Sequence, residues 1–199
     1  MAYAGIQLIG FTLALLGLMG LVICTCLNEW KSYTHSDGSA LTSEEISVGL
    51  WTRCSRLSSG RMQCEVLDSI LHQPMEIQLS RAVMIASILL SLGGVAVAVM
   101  GMRCTTCLEE EKTLKDRVAA AGGGLIVLGG LCALGVVSWY ADQVVKDFHD
   151  AKTVTRFTLG RALFLGWAGA LLSVVGGALL CCSCPHSDPV PEKPAADYV

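Results

Sequence analysis

Four long stretches of this chain lack charge altogether. No Asp, Glu, Lys or Arg occurs from Met1 to Asn28, from Ala82 to Met102, from Val118 to Ala141, or from Ala162 to Leu180. Across 199 residues only 16% are charged while 53% are hydrophobic, which excludes an ordinary soluble domain. Each run can cross the roughly 30 Å hydrocarbon core as a helix, which takes about 20 residues. The runs lack the alternation of a barrel strand, and in lipid only a helix or a closed barrel satisfies its own backbone. The chain is therefore read as four transmembrane helices. The first run has no basic flank, and its apolar block is long for a cleaved leader, so it is taken as a span. Intramembrane charge marks ion and proton pathways, and its absence argues against a pump or transporter working through the bundle.

Catalytic chemistry is missing too. The four histidines, His35, His72, His149 and His186, are scattered. No Ser/His/Asp or paired-carboxylate constellation, phosphate loop or basic-aromatic patch can be found. The expectation is a protein that is not an enzyme, holds no cofactor or metal and binds no nucleic acid.

What is present lies first in the loop between spans one and two, residues 28–81. It is long for a connector and short for an independent domain, so a fold there needs a staple. Within "GLWTRCSRLSSGRMQC", Ser58-Ser59-Gly60 suits a three-residue hairpin turn, with Gly60 in the left-handed conformation. That register sets Leu57 against Arg61, Arg56 against Met62, and Cys54 against Cys64. Opposed cysteines suit a disulfide. The same register sets Arg53 against Glu65 and Trp51 against Leu67, on the other face. Further strands are expected around "WKSYTH" and "SVGLW". A short helix and a break at Pro74 are expected before the second span.

Small residues at helical spacing, Gly94/Ala98, Ala120/Gly124 and Gly166/Ala170, favour close helix packing. Cys24, Cys26 and Cys132 are read as small packing residues. Cys104 and Cys107 follow the second span, and Cys181, Cys182 and Cys184 end the fourth. These membrane-edge thiols are candidates for S-palmitoylation; their CC-x-C spacing is poor for zinc. The proline-rich tail ends in Asp197-Tyr198-Val199, a form of C-terminus that a PDZ groove can take as an added strand. Counting Lys and Arg gives nine in the two loops assigned outside and five in the segments assigned inside. That count points the termini outward. The loop disulfide and the tail point them to the cytosol, which is the orientation adopted.

The residues Trp30, Gly49-Leu50-Trp51, Cys54, Cys64 and Arg81 at the mouth of the second span resemble the claudin signature. The likeness runs from "AGIQLIGFTLALLG" through "GMRCTTC", "VSWYA" and "LGRALFLGWAGA" to the final YV. It implies a mainly α membrane protein with a small β-sheet: a left-handed four-helix bundle under an extracellular antiparallel sheet. The expected layout is a single claudin-like domain over 1–199, with spans near 5–27, 82–102, 118–140 and 162–182. Residues 28–81 and 141–161 would be extracellular, and 103–117 and 183–199 cytosolic.

The resemblance implies a component of tight-junction strands that polymerises in the membrane, adheres across cells and makes a paracellular barrier. Its implied partners are other claudins in cis and in trans, PDZ scaffold proteins, and membrane lipid. Alternatives are a cation-selective paracellular channel and a non-strand-forming organiser on the same scaffold. In the family a hydrophobic residue on a short extracellular helix docks into an aromatic pocket of a neighbour. Ile70 stands at the first position and Phe148 at the second, with His149 where the family often has another aromatic. Phe157 begins "FTLG", which lacks the family's usual acid. Glu65 matches the acid of a cation-pore claudin, against Arg53, Arg56 and Arg61 on the same hairpin. A carboxylate in a narrow wet pore raises local cation concentration. The arginines favour the barrier.

Overall fold

The computed structural model describes residues 2–36, 43–57, 60–67, 75–101, 112–150 and 156–183. Among them are four long helices and five strands. α1 spans Ala2–Cys26, α2 Met75–Gly101, α3 Lys112–Asp150 and α4 Arg161–Cys182. All four are long and apolar enough to cross a membrane. α2 begins directly after Pro74, which has no N–H to carry a helix across from upstream.

The helices run antiparallel, α2 on α3, α3 on α4 and α4 on α1. Without hydrophobic drive in lipid, such contacts depend on close backbone approach. A Cβ at Gly94 would stand 2.8 Å from the Gly122 carbonyl oxygen of α3. Gly94 and Ala98 therefore pack as the sequence suggests, and so do Gly166 and Ala170, both buried. The Ala120/Gly124 pair does not, since a Cβ at Gly124 would meet nothing within 4 Å. The tight seams of α3 run instead through Gly122 and Gly123, one step round the helix, where a Cβ would lie 2.6 Å from Ala98 and 2.7 Å from Gly177 backbone. Sequence spacing alone does not say which face of a glycine-rich helix turns inward.

At one end of the bundle a sheet is ordered β4-β3-β2-β1-β5. Its strands are β1 (Lys31–Ser36), β2 (Ser43–Val48), β3 (Thr52–Arg56), β4 (Met62–Val66) and β5 (Arg156–Leu159), and every ladder is antiparallel. The first four come from one loop. β5 comes from the second loop and pairs with β1, which closes the sheet over the bundle. α3 is the longest element at 39 residues, about 58 Å at 1.5 Å per residue. It outruns the bilayer and carries the sheet on its upper turns, with Asp147 paired to Lys31 at the start of β1. Helical structure thus occupies part of both stretches read as loops, 28–81 from Met75 and 141–161 up to Asp150.

Candidate functional site

The signature residues form a clasp between sheet and bundle. Trp30 is wholly buried, and its Nε1 donates to the Cys24 carbonyl at 2.9 Å. That carbonyl lies in the last turn of α1, where helices leave acceptors unpaired. The indole meets Tyr140 of α3 edge to face, with centroids 5.2 Å apart and planes at 85°. Aromatic pairs favour this geometry. Leu50 is wholly buried, and its carbonyl accepts from Arg81 Nε. Arg81 lies one and a half turns inside α2 rather than at its mouth, buried among neighbours. Its guanidinium carbon stands 5.0 Å from the centre of the Trp51 ring, a cation–π contact. Gly49 is required because a Cβ there would stand 2.5 Å from Asn28 Cα. Five residues spread over 52 positions of sequence therefore converge on one joint.

Above the joint stands the hairpin β3–β4. Cys54 and Cys64 are bonded, opposite each other in the ladder, with Cα atoms 4.1 Å apart. Gly60 has φ +79°, and Leu57 N–H donates to the Arg61 carbonyl across the turn. Arg53 faces Glu65 and Arg56 faces Met62, all four exposed. The register read from the turn chemistry is the one observed, including Trp51 against Leu67, joined by Leu67 N–H to the Trp51 carbonyl. β4 is exposed along its whole length.

On the sheet face that bears the disulfide, a polar groove of about 250 Å³ is lined by Glu29, Glu45, Ser47, Arg56 and Arg161. Arg161 reaches Glu29 at 3.5 Å, an exposed pair of small energetic weight. Among the described residues no group of three His, Cys, Asp or Glu could hold a metal ion.

The remaining site residues are placed unevenly. Phe148 is exposed near the end of α3. His149 and Phe157 lie in α3 and β5, but their side chains fall outside the described residues, as do Ile70, Cys104, Cys107, Cys184, Asp197, Tyr198 and Val199. Of the cysteines read as packing residues, only Cys24 is buried, donating to the Ala162 carbonyl at 3.1 Å. Cys26 and Cys132 face outward. At the end of α4, Cys181 turns toward the Ala120 carbonyl at 3.4 Å while Cys182 is exposed.

Residues 4–180 match the model of the PMP-22/EMP/MP20/Claudin family. The chain is 41% identical to Claudin-7-A of Danio rerio over 199 residues, covering 99% of this chain and 94% of the relative. It is 43% identical to Claudin-1 of Rattus norvegicus, covering 94% and 89%. Against Claudin-7 of Homo sapiens it is 41% identical, covering 94% and 90%. The chain belongs to the claudin family.

Several residues hold this claudin together in roles that the sequence motifs do not reveal. Gly160 is one: a Cβ there would collide with the Glu29 carbonyl, because its own N–H donates to Trp30 and the next turn's Ala162 N–H donates to Glu29. Lys31–Asp147 is another, a pair separated by 116 positions. Both join the first loop to the second, so neither is visible from one loop's pattern.

Proposed function

We propose that the protein is a barrier-forming claudin of tight-junction strands, displaying its sheet into the gap between cells. Family membership points to a structural junction protein rather than an enzyme, assembling with other claudins. The observation that carries the barrier reading is the hairpin itself. Its exposed carboxylate, Glu65, lies across the ladder from exposed Arg53, with Arg61 on the same face of the hairpin, while Arg56 lies on the other face opposite Glu45. An acid so neutralised raises local cation concentration little.

In this reading both termini are cytosolic, because a disulfide belongs on the oxidising side. The segments 28–81 and 141–161 are then extracellular, and 103–117 and 183–199 cytosolic, in one domain. Asp197-Tyr198-Val199 is offered to PDZ scaffolds, and Cys104, Cys107, Cys182 and Cys184 to acylation at the inner leaflet. Ile70 and Phe148, with His149 and Phe157 beside them, supply contacts between neighbours in the strand.

The test is Glu65→Lys in an epithelial monolayer. A barrier former is expected to keep its Na⁺/Cl⁻ dilution potential. A clear shift toward anions would show that Glu65 lines a conducting pore and would overturn the barrier assignment.

A further inference from the structure

The polar groove on the disulfide-bearing face of the sheet begins where the chain leaves the membrane. Glu29 stands three residues beyond α1, and Arg161 is the first residue of α4. Trp30 N–H donates to the Val48 carbonyl. Glu45 lies three residues along β2 from there, about 10 Å further from the bundle at roughly 3.3 Å per residue. Arg56 faces Glu45 across the ladder. Among the described residues Glu45 and Arg56 have no ion-pair partner, and Glu29 and Arg161 have only each other, at 3.5 Å. On the bundle side of the groove the surface turns apolar. Phe164 is 59% exposed, one turn from Arg161 on the same face of α4, and Ile23 near the end of α1 is 47% exposed. The groove therefore opens at the level where lipid headgroups meet hydrocarbon.

We propose that this groove holds the headgroup of a membrane phosphoethanolamine lipid, its phosphate on Arg161 and its ammonium between Glu29 and Glu45. The proposal rests on the four helices crossing the bilayer, not on the barrier reading. Two acids and two arginines leave the groove neutral as a whole, so a zwitterion matches it better than a bare anion or a bare cation. Arg161 is open to solvent. A guanidinium takes phosphate through two parallel hydrogen bonds, and the start of a helix favours negative charge. The lipid phosphate thus stays at the membrane level, and the amine beyond it points outward between the carboxylates. The exposed Glu29–Arg161 pair has little energy of its own, so a ligand that offers each partner a counter-charge displaces it at small cost. A primary ammonium donates N–H groups that carboxylates accept. Choline donates none and is recognised by aromatic cages, and among the described residues the groove lining has no aromatic ring. The groove's volume of about 250 Å³ suits a headgroup, being below the roughly 300–1,000 Å³ of sites for larger ligands.

In the test, purified full-length protein in detergent is titrated with dioleoyl phosphatidylethanolamine, phosphatidylcholine or phosphatidylglycerol, and bound lipid is counted by native mass spectrometry. The ethanolamine lipid is expected to bind at about tenfold lower concentration than the other two, since each of those lacks the charge-assisted N–H contacts. Arg161→Gln should weaken its binding about tenfold by the same reasoning. Glu29→Gln and Glu45→Gln should each bring it toward the level of phosphatidylglycerol. Glu45 has no ion pair to lose, so its variant separates binding from folding. Lys146→Gln, which removes an exposed cation on α3, should change nothing. Free phosphoethanolamine should fail to displace the lipid at equal concentration. Displacement there would mean a soluble ligand and overturns the membrane assignment. Equal binding of all three lipids overturns the proposal, and so does an ethanolamine preference that survives both Arg161→Gln and Glu45→Gln. The barrier assignment is tested by permeability and stands apart from these outcomes.

Discussion

Trp30 is the residue whose loss should be felt most widely, and its two contributions can be separated. Trp30→Ala removes a wholly buried indole from between α1 and α3. Large-to-small changes of this kind cost about 3–5 kcal/mol. Trp30→Phe keeps most of the apolar contact with Tyr140 but removes the donor to the Cys24 carbonyl. A buried acceptor left without a partner costs about 1–3 kcal/mol. Each kcal/mol moves the unfolding midpoint by roughly 2–4 °C in a chain of this size. Purified protein in detergent, heated and then resolved by size exclusion, should lose its monodisperse peak roughly 2–12 °C earlier for Trp30→Phe. The shift for Trp30→Ala should be clearly larger. If both variants melt with the wild type, the clasp does not hold sheet to bundle. If the two melt together, the indole N–H carries the whole effect and packing on Tyr140 none.

Two further substitutions probe the same end of the molecule. Cys54→Ser opens the hairpin and forfeits about 2–3 kcal/mol in the chain-entropy account; it should be retained in the secretory pathway, and wild-type delivery by surface biotinylation would count against a structural staple. Gly160→Ala drives a methyl into the Glu29 carbonyl, so it should reduce surface expression. Alanine at Gly124, where a Cβ meets nothing, should leave expression unchanged.

How far the fold could be read depended on whether a feature was local. The charge-free runs gave the helices, because the bilayer imposes length and composition on each span separately. The hairpin register followed from one three-residue turn, since Gly60 at positive φ fixes every pair downstream of it. Features that join distant segments were not legible. β5 is four residues of "RFTL" that become a strand only because β1 is there to receive them. The extension of α3 to Asp150 follows from Lys31 and β5 packing on its upper turns, not from hydropathy. The inward face of α3 went unread because glycines surround the whole helix. The signature residues were legible as a set, but their joint role was not. Nothing in the spacing of Trp30, Leu50 and Arg81 says that one caps a helix and another holds a carbonyl.

That role bears on selectivity. Trp30, Leu50 and Arg81 are buried, so they present almost nothing to solvent. Charge selectivity must then reside in exposed residues, and on the hairpin these are Arg53, Arg56 and Arg61 against Glu65. Fields from exposed charges fade over about 8 Å at physiological salt, so a cation in the adjacent gap senses the hairpin locally, not the net charge of the chain. On the face that carries Glu65, Arg53 and Arg61 outnumber the acid, and Arg53 stands directly across from it, while Arg56 on the other face is matched by Glu45. Arg53→Gln would leave Glu65 without its cross-strand counter-charge while sparing Arg61 at the β4 edge. In a barrier former it should leave the Na⁺/Cl⁻ permeability ratio of a transfected monolayer unchanged, as Glu65→Lys should, with strand appearance in freeze-fracture unchanged. A rise in Na⁺ over Cl⁻ would mean that Glu65 faces a conducting space in which Arg53 had masked it, and the barrier assignment would have to give way to a cation channel.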